Sequence, residues 1–348
     1  FGDDRTVVVP PKAFLGEQFW SLFFPWAADN VDLQGKNVPL LCVQTEFWKQ
    51  LATVHGSQRI VRRGTIDPNS PIRHSGHRLL FPFEGIPDTT GPTSPGWIRV
   101  TEQGIHQSFD MTRVMFSRGN ISEKIRFGKH LVQPGDVILD MYAGIGYYTL
   151  PALIHGKARH VVACEWNEHA VLALRYNVHD NKVDDRVQIF EGDCRRIVAD
   201  NGLVNMFDRV SLGLLPSSEG GWETAVSALK VASGGWLHIH GNVPNGEKDT
   251  WTFWLCQQLL NICVKLQKPT DWVVICNHIE RVKSFAPTVS HFVADVFLGP
   301  GNISPCALQH GNRAGIVRAE KFIPCPDFIT TPSCALSTEG ILSQKWMM

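Results

Sequence analysis

Asp140–Met141–Tyr142–Ala143–Gly144–Ile145–Gly146–Tyr147 follows a short apolar run and opens a helical pattern. Glycines at 144 and 146 allow a tight turn and a close approach of the backbone to a ligand, next to the positive end of a helix. Glu165 stands nineteen residues beyond Gly146, where a carboxylate can accept hydrogen bonds from a ribose diol. Asp193 and Cys194 follow the next apolar run, a place where a carboxylate and a backbone N–H hold adenine. Each signal has a plain alternative on its own, a steric turn or a solvated strand end. Three of them at successive strand ends converge on one crevice and point to an adenosine derivative. Thr149 fills the position of the third glycine of a dinucleotide fingerprint, which favours S-adenosylmethionine over a nicotinamide cofactor.

A second cluster precedes that turn. In the stretch from Met115 to Arg126, Asn120 is placed to cap a helix and Glu123 to close a capping box. Ile121, Ile125, Leu131 and Val132 mark its expected buried face. Ser117 and Lys124 bracket the first turn and offer a hydroxyl and an ammonium to a ligand carboxylate, although a turn Ser and a solvated Lys would look the same. For a polyanion, the best basic stretch is Arg59, Arg62, Arg63, Arg73 and Arg78, opposed by Asp67 alone. His238 and His240 share one face of a strand. No third residue at metal-ligand spacing joins them, so a structural or base-facing role is expected and no metal.

Such residues need a sheet to hold them. Residues 113–298 alternate short apolar runs with helical patterns, as βαβ units do: strands at Val137–Met141, His160–Cys164, Val187–Phe190, Asp208–Leu215 and Gly235–His240, with helices from about Tyr147, at Glu168–Val178 and at Trp251–Leu266. Two long β-like runs, Trp272–Lys283 and Val289–Leu298, then form a hairpin joined at 284–287. The predicted fold is α/β: a Rossmann-like, mostly parallel sheet with a terminal antiparallel hairpin. It is preceded by a smaller α+β domain over residues 1–112, with β-like runs at Thr6–Val9, Arg59–Arg63 and Trp97–Thr101 and a helix at Thr45–Val54. Residues 299–348 gather Pro and Gly without periodicity and are expected to be loosely ordered.

Composition bounds the rest. The 348 residues carry 33 Lys+Arg against 33 Asp+Glu, so no overall cationic field exists and any nucleic-acid contact must be local. With 43% apolar residues the chain can fill a core, and its length suggests about two domains. No window is long and apolar enough for a transmembrane span. Nine Cys without a CxxC pair read as reduced thiols of a cytoplasmic protein, and no signal-peptide pattern is visible. A monomer is expected.

Six segments then identify a family: 116–120 with Phe116–Ser117–Arg118–Gly119–Asn120, the glycine turn 140–147, Ala163–Cys164–Glu165–Trp166–Asn167, Gly213–Leu214–Leu215–Pro216–Ser217–Ser218–Glu219, Leu237–His238–Ile239–His240, and Val282–Lys283–Ser284–Phe285–Ala286–Pro287. In this order they resemble the tRNA wybutosine-synthesizing protein 2 family, related to the tRNA guanine-37 N1-methyltransferases. The resemblance is specific over about 110–298, weaker over 1–109, and does not reach the tail. It implies transfer of the 3-amino-3-carboxypropyl group of S-adenosylmethionine to 4-demethylwyosine beside the anticodon of phenylalanine tRNA. By motif position it implies that Ser117, Lys124, Glu165, Asp193 and Cys194 contact the cofactor, with Gly144 and Gly146 shaping the turn. The methyltransferase relatives carry Asn-Leu-Pro after the fourth strand; aligning on Pro216 puts Leu214 at the Asn, and Leu cannot hydrogen-bond a purine edge. Pro216, Ser217, Ser218 and Glu219 become the candidates for the acceptor base, and Arg59, Arg62 and Arg63 for tRNA phosphates. A tRNA guanine-37 N1-methyltransferase and a nicotinamide-dependent dehydrogenase are the alternatives.

Overall fold

A computed structural model describes residues 6–11, 40–65, 74–82, 90–302 and 317–319. Its first elements are β1 (Val7–Val9), α1 (Leu40–Val54), β2 (Ile60–Arg62), β3 (Arg78–Phe81), β4 (Trp97–Glu102) and β5 (Ile105–Asp110). Next come α2 (Ile121–Arg126), β6 (Val137–Asp140), α3 (Thr149–Ile154), β7 (His160–Glu165), α4 (Glu168–Asp180), β8 (Val187–Glu191) and α5 (Cys194–Asp200). The last are β9 (Arg209–Leu212), α6 (Trp222–Ala228), β10 (Gly235–Pro244), α7 (Lys248–Lys265), β11 (Trp272–Ala286), β12 (Val289–Pro300) and β13 (Val317–Ala319). Among the described residues no helix is long and apolar enough to cross a membrane.

The chain divides into two compact units, Phe1–Ser117 with Asn167–Asp180, and Arg118–Trp166 with Asn181–Met348. The division differs from a cut at 112, because α4 groups with the N-terminal segment. The reason is local chemistry. The Asn177 side chain accepts the Ser108 N–H of β5 at 2.6 Å, Trp97 meets Tyr176 edge to face, and Arg99 pairs with Asp180. In the same unit β1, β2 and β3 form a small sheet, and Trp48 and Ala52 of α1 pack on Val9, Ile60 and Leu80.

In the second unit the strand order is β13-β11-β12-β10-β9-β6-β7-β8. Strands β10, β9, β6, β7 and β8 run parallel, and β12 turns back antiparallel to β10 over ten paired positions, as the long apolar runs predict. From β6 the chain proceeds outward to β7 and β8, then crosses to the other side for β9 and β10. The switch therefore lies between β6 and β9, and ligands of open parallel sheets bind outside the carboxyl ends at such a point. The core beneath it joins Leu139, Val162, Val210, Leu212 and Ile239 of the strands to Trp222, Trp251, Leu255 and Leu259 of the covering helices. The helical spacing read at 251–266 places Leu255 and Leu259 in this core, with Trp254 and Ile262 packed at its margin.

Three expectations are corrected. Part of the tail is built into the sheet, since β13 pairs antiparallel with Val274–Cys276. Asn120 makes no side-chain cap and Glu123 turns inward, so the capping box is absent; a nearby guanidinium outcompetes a backbone N–H for the carboxylate. The buried side of α2 is Glu123 and Lys124 followed by Phe127, whereas Ile121 is exposed. A π-helical turn, 127–131, continues the helix in place of a regular last turn.

Candidate functional site

Strand registers line up the ends that matter. Asp140 of β6 pairs with Ala163 of β7 and with Ser211 of β9, and Glu165 of β7 pairs with Glu191 of β8. The glycine turn and Glu165 therefore stand side by side on the carboxyl edge. Gly144 adopts φ +55° and Gly146 φ +102°, which side chains rarely tolerate, and a Cβ on Gly144 would lie 2.8 Å from the Tyr147 ring. Glu165 accepts the Gly144 N–H at 2.8 Å and the Trp166 N–H at 2.9 Å. Its carboxylate is thus locked at the glycine turn. Thr149, at the missing third glycine, is fully buried and donates to Asp140 at 2.7 Å, tying α3 to the end of β6. Burial pushes the Asp140 carboxyl up to about 6.

Asp193 caps α5, accepting the Arg195 N–H at 2.9 Å and pairing with the Arg195 guanidinium at 2.6 Å, which holds its carboxyl below the usual range. Cys194 is buried, and burial first, then the neighbouring Asp193 charge, pushes its thiol up to about 11. The buried thiol packs against the Tyr142 hydroxyl. Its backbone N–H at the start of α5 is the part suited to a base edge.

Lys124 is 5% exposed, and its Nζ stands 5.2 Å from the centre of the Tyr147 ring. That places an ammonium over the glycine turn, where it could hold a carboxylate. Ser117 belongs to the other unit.

The remaining predicted residues divide. Ser218 is buried and accepts the Trp222 indole N–H at 3.2 Å, so it fixes α6 instead of facing an acceptor. Ser217 bonds the Glu219 N–H, and the Pro216 carbonyl accepts the Asn242 N–H, pinning this loop to β10. Glu219 is half-buried, with its carboxyl raised by burial. In the N-terminal unit Arg59 is buried and spends its guanidinium on the Pro95 carbonyl at 2.9 Å and the Thr6 hydroxyl at 3.2 Å, so it joins segments and does not reach for phosphate. Arg62 lies over Trp48, whereas Arg63 and Arg78 are on the surface. Arg73 and Asp67 fall outside the described residues.

Sequence reasoning missed a buried polar chain. Arg126 donates to both Glu123 oxygens at 2.7 and 2.9 Å and grips Asp295 with two further N–H groups. Asp295 bonds His238 Nδ1 at 2.6 Å, and Arg209 donates to His238 Nε2 at 2.7 Å and to Asp136 at 3.0 Å. Since Arg cannot accept, His238 is neutral with its proton on Nδ1. The spacing of Glu123 and Arg126 on a helix could have suggested their pairing; nothing local points to Asp295. His240, next on the same face, pairs with His291 at 2.9 Å. Among the described residues no group of three His, Cys, Asp or Glu comes together as a metal site.

Burial, reinforced by Lys283, depresses His291 from 6.5 to about 4. The unfolded chain then takes up this proton first as pH falls, so the contribution is complete above 6.5 and is lost toward 4. Comparison with His291→Asn isolates it. Urea unfolding at pH 7 and pH 5 should show the stability gap between wild type and variant shrinking by about 2 kcal/mol. An unchanged gap would mean that His291 is protonated or solvated in the fold.

Relatives give the arrangement its family. The TRM5/TYW2 methyltransferase domain family matches residues 98–252. The chain is 42% identical over 254 residues to the Arabidopsis thaliana tRNA wybutosine-synthesizing protein 2/3/4, covering 73% of this chain and 24% of that protein. It is 37% identical over 298 residues to the Homo sapiens tRNA wybutosine-synthesizing protein 2 homolog, covering 72% of this chain and 63% of that protein. The chain thus spans about a quarter of the plant relative and under two thirds of the human one. Among solved structures, P. horikoshii TYW2 in complex with MeSAdo superposes with a TM-score of 0.57 at 26% identity, covering 73% of this chain and 83% of that one. Motifs, sheet order and relatives agree: the chain belongs to the tRNA wybutosine-synthesizing protein 2 family, among the TRM5/TYW2 proteins.

Proposed function

We propose that the protein transfers the 3-amino-3-carboxypropyl group of S-adenosylmethionine to a ring carbon of 4-demethylwyosine at position 37 of phenylalanine tRNA, releasing methylthioadenosine. The observation that carries this reading is the Lys124 ammonium set over Tyr147 at the glycine turn, beside the locked Glu165 carboxylate. Glu165 takes the ribose diol, Asp193 and the Cys194 N–H take the adenine, and Lys124 takes the donor carboxylate. The sulfonium has three electrophilic carbons, and the one that reacts is the one placed in line with the nucleophile. Anchoring the carboxylate turns the γ-carbon toward the acceptor. The C–S bond to that carbon breaks as the new C–C bond forms, and the ring carbon gives up its proton. Placement and stabilisation of the changing charge supply the rate, without a covalent intermediate.

Pro216, Ser217 and Glu219 border the acceptor, and Arg62 and Arg63 of the N-terminal segment contact phosphates of the anticodon stem-loop. The protein works as a cytoplasmic monomer. A guanine-37 N1-methyltransferase is the competing reading, and Leu214 at the base-contacting Asn position argues against it. Chromatography of the small-molecule by-product separates the two. Methylthioadenosine is expected, and S-adenosylhomocysteine as the main by-product would replace this reading with methyl transfer.

A further inference from the structure

Helix α2 carries Lys124 on six residues only, and its N-terminus lacks a side-chain cap. The π-helical turn 127–131 extends it, and Lys124 is useful only if the rotation of this short segment is fixed. The fixing contact comes from Arg126. Its planar guanidinium is held on one side by both oxygens of Glu123, one helical turn back, and on the other by both oxygens of Asp295 on β12. Asp295 is in turn held by His238 on β10, which Arg209 holds. Phe127, the next residue, packs edge to face on Tyr148 and on His238, with ring centres 5.3 and 4.9 Å apart. The Glu123 contact fixes the guanidinium on the helix, and the bidentate contact to Asp295 ties that face of the helix to the sheet.

Stability alone is a poor reason for this arrangement. Glu123 is 1% exposed and Asp295 2%. Buried ion pairs seldom outperform apolar residues of equal volume, because desolvation offsets the attraction. Burial raises Glu123 to about 7 even with Arg126 beside it, a sign of that cost. What charge gives and packing does not is a defined orientation. On a helix, Glu123 and Arg126 share a face and Lys124 points about 100° away from Glu123. Locking the first pair onto the sheet therefore aims the ammonium across the glycine turn.

We propose that Arg126, clamped between Glu123 and Asp295, is a positioning residue that aims Lys124 at the carboxylate of the amino-acid arm of the donor, and so governs which sulfonium substituent is transferred. This rests on the functional reading above. The probe is a pair of donors, S-adenosylmethionine and its decarboxylated form, which keeps the sulfonium and amine and lacks only the carboxylate. Binding of each is measured by calorimetry to wild type, to Arg126→Lys, which keeps the charge and loses the planar fork, and to Asp295→Asn, which keeps the shape and loses the charge.

Wild type should prefer the carboxylated donor by tenfold or more. Either substitution should cut that preference at least fivefold, leave binding of the decarboxylated donor within twofold, and have no further effect on the preference when Lys124 is already Ala. A purely structural role would weaken both donors alike and add to Lys124→Ala, and that result overturns the proposal. A wild-type protein that does not distinguish the two donors would instead remove the functional reading beneath it.

Discussion

Glu165→Ala lowers affinity for S-adenosylmethionine by about 1–3 kcal/mol, roughly five- to 150-fold, and leaves tRNA affinity within twofold. The argument is geometric. Glu165 ends β7 on the carboxyl edge and accepts N–H groups from Gly144 and Trp166, so its charge is fixed at the glycine turn, the place proposed for the ribose. Alanine removes the acceptor for the diol and also the bond that holds the left-handed Gly144. Glu165→Gln keeps one acceptor oxygen and loses the charge, so its effect should fall between the two. Calorimetry with S-adenosylmethionine, beside filter binding with tRNA, reads both. Equal loss of donor and tRNA would show that the substitution damages the fold, and an unchanged donor affinity would displace Glu165 from the site.

Lys124→Ala has a different signature. A charge-assisted hydrogen bond to the donor carboxylate contributes about 1.5–3 kcal/mol, so binding should weaken roughly ten- to 150-fold. The larger consequence is chemical. Without its anchor the amino-acid arm no longer fixes which carbon faces the acceptor, and a displacement of about 1 Å costs on the order of 100-fold in rate. Turnover to methylthioadenosine should fall by more than the loss in binding, and S-adenosylhomocysteine should rise as a share of the by-products. Lys124→Arg should recover part of the binding and little of the rate, because its fork places charge differently from a point ammonium. If saturating donor fully restores the rate of Lys124→Ala, the side chain binds the donor without aiming it.

Much of this was legible in the residues themselves because the signals are local. The turn at 144–146 and the spacing to Glu165 require only a strand, a loop and a helix in sequence, and β6, β7 and α3 appear close to where the apolar runs put them. The terminal hairpin was readable for the same reason, though β11 and β12 each run beyond the apolar stretch, to Ala286 and Pro300, as backbone pairing continues past apolar packing.

What was not legible depends on partners far along the chain. Glu123 looked like a capping residue, and although Arg126 stands three residues on, the partner that fixes Arg126 is Asp295, 169 residues away. Arg59 looked like part of a basic surface, and its neighbours Thr6 and Pro95 take it inside. Ser218 looked free to meet a base, and Trp222 claims it. Helix α4 joins the parallel strands β7 and β8 as the crossover of a βαβ unit, yet groups with the β4–β5 hairpin through Asn177, Tyr176 and Asp180. In each case the residue type was informative about chemistry, and a long-range contact decided what that chemistry was used for.

The decisive measurement is the mass and label of the modified base. Phenylalanine tRNA bearing 4-demethylwyosine is incubated with the protein and S-adenosylmethionine carrying one isotope in the carboxyl group and another in the methyl. Digestion to nucleosides should give a base heavier by one aminocarboxypropyl group, bearing the carboxyl label and none of the methyl label. Methyl label on the base, with the carboxyl label left in the nucleoside by-product, would contradict the placement of Lys124 at the amino-acid arm and the function drawn from it.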